Sequence, residues 1–215
     1  MQVFEYIQNA EFFIKQQLNN DFSDGHDIAH TVRVVKNCRR LCEQIPHADS
    51  DIVILAAWLH DVARPIESQS NGQIDHAAKG SEIAAEFLLD SKLDHAIVKR
   101  VARCIAEHRF RSGIQPSSIE AEILYDADKL DSLGAVGIAR AMFFAARCGA
   151  SLHNSREEAL QSQPYSCGDT AYREYLVKLS KLPERLFTEP ARIIARERAA
   201  FMKSFFDQLN SEFFQ

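Results

Sequence analysis

The sequence predicts an all-α fold, a single compact helical domain with no significant sheet, and three observations support this prediction. Apolar residues recur at helical spacing along nearly the whole chain, and convincing alternating strand patterns are absent. Capping residues and prolines stand where those periodic segments begin or end. The 215 residues, 46% hydrophobic and 26% charged, suffice to bury a core without disulfides. We expect one domain over residues 1–215.

The first half of the chain contains five predicted helices, at about residues 2–18, 28–44, 52–63, 76–89 and 94–109. The first is moderately amphipathic, and Asn, Asp, Ser and Gly form the loop that follows it. Asp27 and Asp75 are N-cap candidates for the second and fourth helices. Pro46 ends the second helix, and residues 68–73 read as a polar loop.

The second half contains four more predicted helices, at about residues 117–133, 135–148, 172–182 and 188–210. Gly134 and Gly137 indicate a break or tight packing between the first two. Residues 149–168 read as a long excursion rich in turn residues, which in a compact domain is typical of functional segments. Pro190, just after Thr188, opens the last long helix.

The third predicted helix, residues 52–63, contains ten apolar positions, and its only polar residues are His60 and Asp61. Pro65 is expected to stop this helix at Arg64. A helix that is apolar on all sides belongs in a core, where an isolated carboxylate costs several kcal/mol. Asp61 therefore needs a partner. Either an Arg or Lys from another helix pairs with it, or it binds a divalent metal with His60 as a second ligand.

Composition excludes several classes of function. The net charge of −5 and the lack of a basic run argue against binding to duplex nucleic acid. The longest apolar run, residues 52–59, is too short to cross a bilayer, and no signal pattern opens the chain, so we expect a cytoplasmic protein. Five scattered cysteines do not suggest a disulfide framework. Cys38 and Cys42, one helical turn apart, are expected to pack in the core rather than bind zinc.

Residues of the types that bind metals occur in three separate helical segments. These are His30, the His60-Asp61 pair, and an acidic cluster of Asp126, Asp128 and Asp131. Imidazole with carboxylate suits Mn, Fe, Co, Ni or Zn better than Mg or Ca alone. Helices that pack together can bring such ligands to one site in a bundle core.

With these motifs the chain resembles the HD-domain metal-dependent phosphohydrolases, and it looks closest to a bacterial subgroup of stand-alone HD hydrolases. The resemblance rests on Gly-His-Asp-Ile-Ala-His-Thr-Val-Arg-Val at 25–34, on His-Asp at 60–61, on Tyr-Asp-Ala-Asp-Lys-Leu-Asp-Ser-Leu-Gly-Ala-Val-Gly-Ile-Ala-Arg at 125–140, and on Lys-Leu-Ser-Lys-Leu-Pro at 178–183. It implies a metal-site core at about 26–148, with C-terminal helices of about 170–211 packed on it. The implied metal ligands are His30, His60, Asp61 and Asp128.

Helical periodicity alone does not select Asp128. On the stripe of Ile123, Ala127 and Leu130, Asp131 lies nearer the inward side. The resemblance selects Asp128 by its place in Ala-Asp-Lys-Leu, and Asp126 and Asp131 are then expected to orient ligands or to cap the helix.

The resemblance implies hydrolysis of a phosphoester or phosphoanhydride bond, of a nucleotide first of all, by metal-activated water. One divalent ion is expected, Mn before Fe, Co, Ni, Zn or Mg. Asp61 and His108 are the expected catalytic residues, with His108 as general acid. The expected substrate contacts are Arg33, His76, Lys79, Arg109 and Lys129. Glu67 is interpreted as a loop residue rather than a base.

Two other interpretations remain open. The chain could be a non-catalytic, nucleotide-sensing metal-binding helical module. It could also be a helical interaction protein in which Asp61 is paired with an arginine. An inward histidine such as His76 or His108 is, without the resemblance, more often a satisfied core residue. A monomer or a homodimer is expected.

Overall fold

The computed structural model describes residues 3–18, 27–109 and 115–214, and within these ranges every regular element is helical, with no strand. The elements are α1 Val3–Gln17, α2 Ile28–Cys42, α3 Ser50–Leu59, α4 Arg64–Gln69, α5 His76–Asp90, α6 His95–Glu107, α7 Ile119–Leu130, α8 Gly134–Arg147, α9 Arg156–Gln161, α10 Ala171–Val177, a 3₁₀ helix Leu179–Arg185, and α11 Glu189–Phe214. The all-α prediction is confirmed.

The chain divides into two compact units, residues 1–128 and residues 129–215. In the first unit α3 is the central helix: it packs against α1, α2 and α6, and α6 packs in turn against α5. Every residue of α3 from Ile52 to Leu59 is buried, which is why its sequence is apolar on all sides. The single domain over 1–215, with C-terminal helices packed on the core, stays a prediction.

Side-chain caps fix where the site-bearing helices begin. The Asp27 carboxylate accepts a hydrogen bond of 2.8 Å from the backbone N–H of His30, so α2 starts at Ile28 and carries His30 in its first turn. Asp75 caps α5 in the same way through Ala77 and Ala78. Both caps were predicted from the sequence and are confirmed. Because the two caps set where α2 and α5 begin, they also set the side of each helix on which its first histidine, His30 or His76, lies.

The helix predicted over 52–63 is wrong at its end. It stops at Leu59, residues 60–63 form a turn, and α4 begins at Arg64 with Pro65 in its first turn. Proline has no N–H and fits only the first turn of a helix, so the break falls before Pro65 and not at it. The backbone N–H of Arg64 closes the turn on the Asp61 carbonyl at 3.0 Å. His60 and Asp61 therefore lie where two helices join, and not inside one.

In the second unit α8 and α10 pack together, and α11 packs against α8 and the 3₁₀ helix. The 149–168 excursion contains a helix that was not predicted, α9, which starts with a capping box between Ser155 and Glu158. The helix predicted over 172–182 is divided, because α10 ends at Val177 and the chain continues as a 3₁₀ helix that contains Pro183.

Gly137, in the first turn of α8, allows a close backbone approach. A Cβ atom at this position would overlap the backbone carbonyl of Ser132. Gly80 in α5 differs, since a Cβ there would meet its nearest neighbour, the His60 carbonyl oxygen, at an ordinary contact distance of 3.4 Å. The prediction of tight packing at Gly137 is thus confirmed.

Cys38 is buried and Cys42 half-buried, both as free thiols, consistent with core packing. Burial raises the pKa of the Cys42 thiol to about 11 and that of Cys104 to about 12. Among the helices of the described segments, none has both the length and the apolar character needed to traverse a bilayer.

Candidate metal centre

Four buried side chains of the first unit converge: His30, His60, Asp61 and Asp128. Asp61 Oδ2 lies 3.5 Å from His30 Nε2 and 3.4 Å from His60 Nε2. On its other side His30 Nε2 lies 3.4 Å from Asp128 Oδ1. Ligand atoms of His30, His60 and Asp128 all fall within 4.8 Å of one another. The structure therefore brings together the four residues predicted as metal ligands.

The candidate ligands come from different helix ends. His30 lies in the first turn of α2, His60 caps the C-terminus of α3, and Asp128 lies in the last turn of α7. Asn37 of α2 donates a hydrogen bond of 3.0 Å from Nδ2 to the carbonyl of Ala127, which holds α7 against α2 next to Asp128.

The His60 ring shows which atoms face the site. Its Nδ1 lies 2.8 Å from the carbonyl oxygen of Ala57, so Nδ1 carries the proton and donates it. In the neutral ring Nε2 is then the acceptor, and this buried atom has no hydrogen-bond partner in the part of the chain that the structure describes. It faces a carboxylate oxygen of Asp61 at 3.4 Å. Two acceptors at this separation repel unless a cation lies between them, so the donor set fits a divalent metal.

Two further histidines surround the other oxygen of the same carboxylate. Asp61 Oδ1 lies 3.6 Å from His76 Nε2 and 3.8 Å from His108 Nε2, and the two Nε2 atoms are 3.3 Å apart. His108 donates from Nδ1 to the carbonyl of Ile105 at 2.6 Å. His76 Nδ1 lies 2.8 Å from Glu67 Oε2. The two Nε2 atoms thus face the same carboxylate oxygen and each other.

The charge state of His76 follows from its surroundings. Burial lowers the pKa of its imidazole to about 2; Asp61 opposes this shift and Arg64 adds to it. His76 is accordingly neutral near pH 7.

Arg64 and Glu67 complete the centre, and the sequence analysis missed both of them. Arg64 Nε donates to Asp61 Oδ1 at 3.0 Å, and its Nη1 donates to Glu67 Oε2 at 2.9 Å. Glu67 Oε1 lies 2.7 Å from Arg109 Nη1, which also contacts Asp75. Glu67 is thus a half-buried hub on α4, and its interpretation as a loop residue is wrong. The usable signal was the i, i+3 spacing of Asp61, Arg64 and Glu67.

The surroundings of Asp61 bear on both of the partners that the sequence left open. A guanidinium contacts Oδ1, and it comes from Arg64 at the start of α4, only three residues along the chain. Oδ2 faces the imidazoles of His30 and His60, which a salt bridge alone does not explain.

The remaining predicted substrate contacts lie on the same elements. Arg33 is half-buried on α2, three residues after His30. Lys79 Nζ forms an ion pair of 2.8 Å with Glu82, and 42% of the lysine side chain is exposed. Lys129 is half-buried on α7. Their contact with a substrate stays a prediction.

The two other carboxylates of the acidic cluster are also buried. Asp126 is fully buried on α7. Asp131, in the second unit, forms an ion pair of 2.7 Å with Arg140 Nη1. A role for either of them in orienting metal ligands stays a prediction.

Comparison with protein families gives a match to the HD domain over residues 27–133. These residues include all four candidate ligands. Among curated proteins, the chain is 31% identical over 205 residues to the uncharacterized protein YpgQ of Bacillus subtilis (strain 168), covering 92% of this chain and 89% of that protein.

Solved structures share the fold over the whole chain. The crystal structure of B. subtilis YpgQ in complex with ADP is similar with a TM-score of 0.74 and 27% identity, covering 99% of this chain and 97% of that one. An HD-superfamily hydrolase from Bacillus thuringiensis is similar with a TM-score of 0.76 and 29% identity, covering 100% of each chain. A predicted HD-superfamily hydrolase from an uncultured Thermotogales bacterium has a TM-score of 0.68 at 27% identity, covering 99% of each chain.

Proposed function

Because the chain belongs to the HD-domain family and has the fold of HD-superfamily hydrolases, we propose that it is a metal-dependent phosphohydrolase acting on a nucleotide. The reaction is hydrolysis of a phosphoanhydride or phosphoester bond. Pyrophosphohydrolase, nucleotidase and phosphodiesterase activities are the three forms it can take, and the products distinguish them.

One observation carries the proposal. His60 Nε2, with its ring proton committed to Ala57, faces the Asp61 carboxylate inside the core, with His30 beside them. A merely structural cluster would place a proton or a guanidinium between such acceptors. We propose His30, His60, Asp61 and Asp128 as ligands of one divalent ion, with manganese as the first candidate because the donor set mixes imidazole and carboxylate.

The nucleotide part of the proposal is supported by a relative. YpgQ of B. subtilis has been crystallised with ADP, and the chain is similar to it over nearly its full length. ADP offers a phosphoanhydride, a phosphoester and an anionic tail that cations can bind. A small phosphorylated molecule of this class is the substrate we propose.

A divalent ion bound to these ligands would lower the pKa of a bound water and polarise a phosphoryl oxygen. His108, whose Nε2 lies 3.8 Å from Asp61 Oδ1, takes up the proton that the attacking water releases and returns it to the leaving oxygen. His76 Nε2 lies 3.3 Å from His108 Nε2, so the two rings can share a proton. The His108 ring is kept from rotating by the bond from its Nδ1 to the Ile105 carbonyl.

The cations of the site have different positions in this scheme. Arg109 lies at the edge of the cluster, where Glu67 and Asp75 hold it, and we propose that it contacts substrate phosphate there. Arg33 and Lys129 are proposed contacts on neighbouring helices. Lys79 is the weakest member of the predicted set, since its ammonium group is already paired with Glu82.

The proposal is tested by incubating purified protein with nucleoside mono-, di- and triphosphates, cyclic nucleotides and simple phosphate esters. Mn²⁺ or EDTA is added, and products are separated by chromatography and ³¹P NMR. We expect turnover with Mn²⁺ that EDTA abolishes and that Asp61→Asn lacks. Lys203→Gln is the control, because Lys203 is exposed in the second unit and paired with Asp207.

Equal turnover by wild type and Asp61→Asn, or turnover that EDTA leaves unchanged, would contradict the mechanism. Tight nucleotide binding without products would instead identify a sensing module. A protein that binds neither metal nor nucleotide would fit an interaction protein.

A further inference from the structure

Each of the two carboxylate oxygens of Asp61 faces the Nε2 atoms of two histidines. Oδ2 faces the Nε2 atoms of His30 and His60, at 3.5 and 3.4 Å. Oδ1 faces the Nε2 atoms of His76 and His108, at 3.6 and 3.8 Å. Each side thus offers two imidazole nitrogens and one carboxylate oxygen, which is a donor set for a transition-metal ion.

Arg64 lies on the Oδ1 side. Its Nε donates to Oδ1 at 3.0 Å, which is shorter than either histidine distance to that oxygen. The guanidinium cannot lose its proton, so this positive charge is permanent. A divalent ion held by Oδ1 would have to displace it or lie close to it, against strong repulsion at short range.

The position of Arg64 is fixed independently of Asp61. Its Nη1 donates to Glu67 at 2.9 Å, and its side chain is only 20% exposed. Arg64 is the first residue of α4, three residues after Asp61, so the turn at 60–63 and the first turn of α4 set its place. Glu67 Oε2 also lies 2.8 Å from His76 Nδ1, so the same carboxylate contacts the arginine and the histidine that would share a second ion.

We infer that Arg64 is a resident cation that takes the place of a second metal ion and restricts the centre to one. This inference rests on the proposed metal site on the Oδ2 side. His76 and His108 then face the substrate and its protons, and Asp61 is held by the guanidinium through one oxygen while the other remains available for the ion.

The test is the metal content of folded protein loaded with Mn²⁺ alone and passed through a desalting column. Elemental analysis counts the ions per chain, and electron paramagnetic resonance separates isolated Mn²⁺ from an exchange-coupled pair. Wild type is expected to hold one ion and to give an uncoupled signal. Arg64→Met replaces the guanidinium by an unbranched, uncharged side chain, and this variant is expected to hold two coupled ions.

Two control variants sharpen the result. Arg64→Lys keeps a positive charge near Oδ1 and is expected to hold one ion. Arg64→Met combined with His76→Ala removes a ligand of the second ion and is expected to return to one. The affinity for a second Mn²⁺ ion should be on the order of tenfold or more higher in Arg64→Met than in wild type, because a like charge is removed at short range.

Each outcome decides between the two proposals. A wild-type protein without bound Mn²⁺ overturns the metal site and with it the proposed function. If wild type and Arg64→Met each hold one ion, only the role of Arg64 is overturned. Two ions in wild type would overturn that role in the same way. If Arg64→Met does not fold, as judged by circular dichroism, Arg64→Gln is measured in its place: a second ion supports the inference, and a single ion overturns it.

Discussion

Replacing Glu67 by Gln tests whether the hub on α4 stabilises the first unit. The carboxylate contacts Arg64, Arg109 and His76 at 2.9, 2.7 and 2.8 Å. Its side chain is 13% exposed, so most of these contacts are shielded from solvent. Glutamine keeps the shape and one acceptor oxygen, but it removes the charge and turns an NH₂ group toward neighbours that are themselves donors.

The expected cost follows from these contacts. A hydrogen bond to a charged group contributes about 1.5–3 kcal/mol, and removing one member of a buried ion pair costs about 3–5 kcal/mol. Both arginines are about one-fifth exposed, so water compensates part of the loss. We expect the free energy of unfolding to fall by about 2–3 kcal/mol.

Urea denaturation of the metal-free protein, followed by circular dichroism, measures this change as a shift in the midpoint at an unchanged slope. Glu82→Gln is the matched control: Glu82 pairs only with Lys79 among its described contacts and is 62% exposed, so its midpoint should match wild type. A shift for Glu67→Gln no larger than the control's would show that the hub does not stabilise the fold.

Three further predictions concern metal binding, packing and thiol reactivity. Asp61→Asn should weaken Mn²⁺ binding by on the order of 100-fold or more in calorimetry, because it removes a ligand charge while keeping the shape; unchanged affinity would exclude Asp61 as a ligand. Gly137→Ala should lower the free energy of unfolding by about 1–3 kcal/mol because its methyl group overlaps a backbone carbonyl, whereas Gly80→Ala should not lower it; equal effects would refute the packing argument. At pH 8, iodoacetamide should label exposed Cys167 in the native protein but not Cys104, whose pKa burial raises to about 12, and labelling of Cys104 should increase with pH only as the protein unfolds.

The features that the sequence predicted well are those set by neighbours a few residues apart. The caps at Asp27 and Asp75 depend on local sequence and could be predicted. The inward positions of His76 and His108 followed from the apolar stripes of their own helices. The Ser155 to Glu158 capping box was an equally local signal of α9, and it was overlooked.

The features that were missed depend on where two helices join. The end of α3 at Leu59 is set by the demand of Pro65 for a first-turn position, and this break moves Arg64 onto Asp61. The hub at Glu67 then assembles from α4, α5 and the end of α6, which no single periodic pattern encodes. Likewise the choice between Asp128 and Asp131 needed the family resemblance: both are buried, but one contacts His30 and the other Arg140.

His60 and His108 share one local arrangement whose effect extends to kinetics. Each ring lies at the C-terminal end of a helix and donates a hydrogen bond from Nδ1 to the carbonyl three residues earlier. These bonds form within the helix ends themselves, so both rings hold their orientation before any ion arrives. Cation uptake should then require little rearrangement of the polypeptide, and its speed should depend on how fast the ion sheds its own hydration water.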